Sequence, residues 1–147
     1  MWVSRIGSLG AVWIAIGIVL ALLWRRPSLV LAVVIAVGAA DLLTALIKEA
    51  VPRHRPFEHQ LGPSERNHSF PSGHTATAFA GATVLSAFAP RYRPAFYALA
   101  CLIGFSRLYN GVHYPTDVVA GGVLGAATAL LLLGATRRGS HRGRRGG

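Results

Sequence analysis

The sequence predicts an all-α integral membrane helical bundle of about five transmembrane helices, with the N-terminus outside and the C-terminus cytoplasmic. Three observations carry this. Of the 147 residues, 52% are apolar and only 14% are charged, which is not the profile of an ordinary soluble domain. The apolar residues gather in long runs almost free of charge. The cations between those runs fall unevenly on the two sides of a membrane once the loops are assigned alternately.

Taken in order, Ile6 to Trp24 carries no charge, and Ser28 to Ile47 carries only Asp41. Runs of this length can cross the hydrocarbon core as helices. Shorter runs follow at Thr75 to Ala89, Ala95 to Ser106 and Val118 to Ala135. The first run reads as a retained helix rather than a signal peptide, because no small-x-small cleavage site precedes Trp24-Arg25-Arg26. Trp2 and Trp24 lie about 33 Å apart at helical rise, a spacing that suits two interfacial anchors. Cys101, inside an apolar run, reads as a small buried residue. Gly121 and Gly125 form a small-xxx-small pair, better explained by packing within the chain than by dimerisation. Residues 1–136 are expected to form one transmembrane domain, and 137–147, rich in Arg and Gly, a basic disordered cytoplasmic tail.

The net charge of +10 raises the question of nucleic acid, and the placement of the charges answers against it. One side collects Arg25, Arg26, Arg91, Arg93, Arg137, Arg138, Arg142, Arg144 and Arg145. The other collects Arg5, Lys48, Arg53, Arg55, Arg66 and Arg107. The richer side is cytoplasmic by the positive-inside rule. The bilayer and a membrane lipid are therefore the expected partners. Oligomeric state is not specified by the sequence.

Three short blocks supply chemistry. Lys48 is followed, after six residues, by Arg55-Pro56. Pro71-Ser72-Gly73-His74 opens the third run. Ser106-Arg107 is followed by His113 and Asp117. All three open to the outer face. Ser72 is placed as an N-cap, so the first amides of its helix, with the positive end of the dipole, form an anion site. Gly73 admits close backbone approach. Arg offers a planar fork for phosphate oxygens and Lys a point charge. A carboxylate four residues after an imidazole can hold one ring nitrogen and leave the other to react, which makes His113 the nucleophile candidate. Read separately, each block also fits a plain role: a capped helix, a snorkelling lysine, an acid at a helix start. A metal bound by His74, His113 and Asp117 is disfavoured, because Lys48, Arg55 and Arg107 would crowd it. No cofactor is expected. Asp41 needs a partner inside the bundle, and His54, His59 and His68 are expected to be solvated loop histidines.

The blocks, reading KEAVPRHRP, PSGH and SRLYNGVHYPTD, resemble the signature of the type 2 phosphatidic acid phosphatase superfamily in identity, order and spacing over Lys48 to Asp117. The resemblance implies metal-independent hydrolysis of a lipid phosphomonoester or lipid pyrophosphate. Polyprenyl pyrophosphate, phosphatidylglycerophosphate and phosphatidic acid are the substrate types it suggests. It implies that His113 attacks phosphorus and that Asp117 orients it. His74 would protonate the leaving oxygen and then activate water. Lys48, Arg55, Arg107, Ser72 and the Gly73 amide would hold the phosphoryl oxygens. Many membrane members have six spans, and the hydropathy here gives five, the difference falling N-terminal to the motif core. Alternatives to hydrolysis are phosphotransfer within the same superfamily and a non-enzymatic membrane scaffold with a lipid-binding basic tail.

Overall fold

The computed structural model describes residues 10–56 and 68–143, with side chains in the last stretch described as far as Thr136. Five α-helices follow in order: α1 (Gly10–Trp24), α2 (Ser28–Ala50), α3 (Gly73–Phe88), α4 (Arg93–Tyr109) and α5 (Pro115–Gly143), with a 3-10 turn at Pro90–Tyr92 between α3 and α4. No strand occurs among the described residues. Each helix overlaps one of the expected runs. Ile6 to Leu9 and Trp2, which belong to the expected first span and its anchor pair, lie outside the described residues.

Among the described residues, two stretches are long and apolar enough to cross a membrane: α2, and Pro115–Thr136 within α5. At 1.5 Å per residue, the 23 residues of α2 reach about 34 Å, more than a hydrocarbon core of about 30 Å. The backbone of α5 remains helical through Gly143, several residues into the segment whose composition suggests a disordered tail. Arginine is a good helix former, and cations suit a helix C-terminus.

α3 is the axis of the bundle and packs against each of the other four helices. Eleven of its 16 residues are buried, nearly all of them Ala, Thr, Gly or Ser. Small residues let neighbouring helices approach closely. On α5, a Cβ added at Gly121 would collide with the Ser72 carbonyl oxygen, and one at Gly125 with that of Ala76. The glycine pair therefore serves packing inside this chain. On the other flank, a Cβ at Gly81 would sit 2.6 Å from Trp13, so the fully buried indole of α1 rests on α3. α4 docks through Phe96, Ala100, Ile103 and Gly104, and Tyr97 meets Phe79 edge-on at 6.0 Å.

The outward faces are apolar. Leu22, Leu23, Leu31, Leu42, Leu46, Leu102, Phe105, Val119, Val123, Leu130 and Leu131 are all exposed. A belt this extensive is foreign to a water-facing monomer. It also corrects one expectation: Cys101 is exposed, not buried. It lies off the face that α4 turns to α3, and in a bundle with an apolar exterior an apolar run does not say which of its residues are inside. The turn after α1 places Arg25 in the left-handed region (φ 53°). Arg26 N–H bonds to Ala21 C=O at 2.9 Å and Arg25 N–H to Leu22 C=O at 3.4 Å, the two bonds of a Schellman cap.

Candidate active site

The three blocks meet at one end of the bundle, around the start of α3. Ser72 holds the extended backbone of an N-cap, yet its hydroxyl makes no cap hydrogen bond; it accepts one from the Thr75 hydroxyl at 3.0 Å instead. The leading amides of a helix have no intrahelical acceptor, and the Ser72 side chain does not cap them. The serine is fully buried. Its own N–H donates to the Asp117 carbonyl at 2.9 Å, which fixes the start of α3 beside the start of α5.

His113 and Asp117 are both buried. Nδ1 of His113 lies 3.6 Å from Asp117 Oδ2, ion-pair range but longer than a hydrogen bond. The Asp117 carboxylate has two further partners. Oδ2 accepts the Tyr114 N–H at 2.9 Å, and Oδ1 accepts from Arg53 at 2.8 Å. The first bond is the reciprocal half of a capping box, in which the acid three residues on reaches back to the cap residue's amide. Gly111, at φ 65°, turns the chain between α4 and this cap, a conformation open to glycine without a Cβ penalty.

The first block is tied to the others by backbone acceptors. Arg55 donates to the Val112 carbonyl at 2.6 Å, one residue before His113. Lys48, in the last turn of α2, donates to the His68 carbonyl at 2.5 Å, and His68 Nδ1 lies 2.7 Å from the Lys48 carbonyl oxygen. Ser69 N–H donates to the Arg53 carbonyl at 2.9 Å and Ser69 Oγ to that of His54 at 3.1 Å. The two ends of the long loop are thus laced together before Ser72. Gly73 and His74 follow immediately, both half-buried, in the first turn of α3. Arg107 lies half-buried in the last turn of α4; its Nε donates to Ser106 Oγ at 3.3 Å, and its carbonyl accepts the Val112 N–H at 3.3 Å.

Two residues differ from expectation. His68 is not a solvated loop histidine: it is half-buried at the loop end and paired with the Lys48 backbone. His54 is exposed, and His59 lies outside the described residues. Arg53 had no role in the motif reading, yet it holds the buried Asp117 carboxylate. The available signal was its place as an extra cation on the side where the positive-inside rule disfavours one. Among the described residues no three His, Cys, Asp or Glu side chains gather as a metal site would require. A cavity of about 440 Å³, bounded by Trp24, Arg26, Phe88 and Tyr92, lies at the far end of α3 from these residues.

The chain has relatives in sequence and in fold. Residues 28–139 match the PAP2 superfamily. The chain belongs to that superfamily. It is 41% identical over 101 residues to lipid A 1-phosphatase of Rhizobium johnstonii, covering 63% of this chain and 41% of the relative. It is 32% identical over 126 residues to undecaprenyl-diphosphatase of Sulfolobus acidocaldarius, covering 82% and 61%. The chain thus spans between two fifths and three fifths of the length of these relatives. Among solved structures it resembles the transmembrane PAP2-type phosphatidylglycerolphosphate phosphatase of Bacillus subtilis, with a TM-score of 0.68, 30% identity, and coverage of 87% of this chain and 68% of that one.

Proposed function

We propose that this PAP2 protein is an integral-membrane lipid phosphatase that acts through a phosphohistidine at His113. The observation that carries the reading is the junction of α3 and α5. It sets the buried His113–Asp117 pair beside the start of α3, where the Ser72 N–H bonds the Asp117 carbonyl and the positive end of the helix dipole faces the pair's end of the bundle.

Because Nδ1 faces Asp117, Nε2 is the attacking nitrogen. It forms the N–P bond as the P–O bond to the lipid breaks. His74, one residue inside α3, gives its proton to the departing oxygen. It then takes one from the water that attacks the phosphohistidine, and inorganic phosphate leaves. Charge on the equatorial oxygens is met by fixed donors: Lys48, Arg55, Arg107, Ser72 and the Gly73 amide. Neighbouring cations favour a neutral imidazole, the form a nucleophile needs. Once phosphorylated, the ring is cationic, and Asp117 offsets its charge. No metal has a part in this scheme.

The substrate is a lipid phosphomonoester or lipid pyrophosphate. The relatives support that class, since their names specify lipid A, undecaprenyl diphosphate and phosphatidylglycerolphosphate. The topology that fits is five spans with the site on the extracytoplasmic face and the C-terminus in the cytoplasm. The outward-facing apolar side chains and the distribution of cations support it. The decisive experiment is phosphate release by purified protein in detergent, with a chelator present, from phosphatidic acid, phosphatidylglycerophosphate and a polyprenyl pyrophosphate. At least one should be cleaved. His113→Ala should abolish release, and full release by that variant would sink the proposal.

A further inference from the structure

We infer that Arg53 is a positioning residue for the Asp117–His113 pair, an inference that rests on the phosphatase reading. Arg53 lies outside the three motif blocks' fixed positions, and its guanidinium is committed to α5. One of its terminal nitrogens lies 2.8 Å from both Asp117 Oδ1 and Thr116 Oγ1. Its Cζ stands 4.2 Å from the centroid of the Tyr114 ring. A carboxylate, a hydroxyl and an aromatic face therefore hold the group on three sides. Its backbone is equally fixed: the N–H donates to the Val51 carbonyl at 2.8 Å, and the carbonyl accepts from Ser69 at 2.9 Å.

The consequence falls on Asp117. The torsion that swings a carboxylate about its last bond is broad and roughly two-fold. Here the two oxygens have separate duties. Arg53 takes Oδ1, while Oδ2 is held by the Tyr114 N–H and faces His113 Nδ1. With both ends held, the carboxylate plane is fixed and Oδ2 keeps its register with the imidazole. A fully buried carboxylate also requires a partner charge, and Arg53 supplies a permanent one during the part of the cycle in which His113 is neutral. Arg53 thus acts through Asp117, in contrast to the cations assigned to the phosphoryl group.

The test compares wild type with R53A, R53K, D117A and R53A/D117A, purified in detergent, using whichever of phosphatidic acid, phosphatidylglycerophosphate or a polyprenyl pyrophosphate the wild type cleaves. Turnover is normalised to folded protein by gel filtration and a melting curve. Residues that orient a reacting group from behind are worth roughly 10- to 100-fold, so R53A should lose that much in kcat with KM little changed. R53K should recover part of the loss. The double variant should be no slower than D117A, because residues acting as a unit are not additive. A raised KM with normal kcat would make Arg53 a substrate contact and overturn the inference. Full additivity with D117A, or wild-type turnover by R53A, would also overturn it. If R53A cannot be purified folded, R53Q carries the same comparisons. H113A separates the two levels: an inactive H113A beside a fully active R53A removes only the Arg53 inference, whereas an active H113A removes the phosphatase reading itself.

Discussion

Adding one methyl group at Gly125 tests the α3–α5 contact on which the site depends. A Cβ there would overlap the Ala76 carbonyl oxygen and come within 2.8 Å of its carbon and 3.0 Å of its Cα. These are backbone atoms in the buried core of α3 and cannot swing aside as a flexible side chain would. The helices must part, or α5 must slide, by on the order of 1 Å, and a misplacement of that size at a reacting centre costs roughly 100-fold in rate. Over-packing of a tight core costs about 1–3 kcal/mol in stability. The strain reaches the site directly, because the next contact up the same seam is Gly121 against the Ser72 carbonyl. Ser72 N–H in turn holds the Asp117 carbonyl. Gly125→Ala should therefore lower both the melting temperature in detergent and kcat. Gly38→Ala and Gly134→Ala, whose added methyls meet nothing within 4 Å, should change neither appreciably. A Gly125→Ala protein with wild-type melting and turnover would refute the reasoning, as would a Gly38→Ala protein that loses as much.

Three further outcomes follow from particular contacts. If His74 serves first the leaving group and then the attacking water, His74→Ala should slow both formation of the phosphoenzyme and its breakdown, read by acid-quenched labelling with a radioactive substrate; formation at the wild-type rate would count against the leaving-group role. Thr83 Oγ1 donates to the Phe79 carbonyl at 2.7 Å, so the 2.9 Å bond with Tyr97 must be donated by the phenol. Thr83→Val should cost about 0.6–1.7 kcal/mol, the range of interhelical hydrogen bonds in membranes. Tyr97→Phe should cost less and should relieve Thr83→Val in the double variant, all by thermal unfolding in detergent. Arg25→Gly should raise the melting temperature, because a non-glycine residue in the left-handed region costs roughly 1–2 kcal/mol; a fall would show that the arginine's other contacts outweigh its backbone.

Much of the frame is legible in the sequence because hydropathy reports helices without needing their neighbours. All five apolar runs have a helix in the structure. Hydropathy does not report which helix is central. α3 is the most enclosed element, yet Ala, Thr and Gly give it a weak apolar signal, since a helix surrounded by other helices needs small side chains more than greasy ones. The same limit explains Cys101, whose exposed position depends on which face α4 turns to α3. Spacing made the His113–Asp117 encounter readable, because four residues across a turn into a helix can bring side chains to one place. Arg53 was not readable in that way. It reaches Asp117 across 64 positions of sequence, and nothing local distinguishes it from Arg55 two residues later, which turns instead to the Val112 carbonyl. His68 was hidden for a similar reason, since its partner is the Lys48 backbone 20 residues away.

Asp117 explains why blocks so far apart in sequence converge. Through Oδ2 it caps its own helix at the Tyr114 amide, which sets the direction in which α5 leaves the turn carrying His113. Through Oδ1 it draws in Arg53, and so the segment after α2 that carries Arg55. Through its backbone carbonyl it fixes Ser72 and the start of α3. One buried residue thus has contacts with all three regions, and each contact is made by a different atom. Such a residue is hard to replace even by its amide. Asparagine would keep the carbonyl contact to Ser72 but would lose the charge that pairs with Arg53. It would also leave the Arg53 guanidinium without its partner charge; removing one member of a fully buried pair costs about 3–5 kcal/mol. Arg53 is more than a third exposed, so solvent reduces that cost. Asp117→Asn should therefore fold, with reduced stability, and fail mainly in turnover. A protein that unfolds outright would place the residue's weight on the frame, and one that keeps wild-type kcat would remove Asp117 from the chemistry.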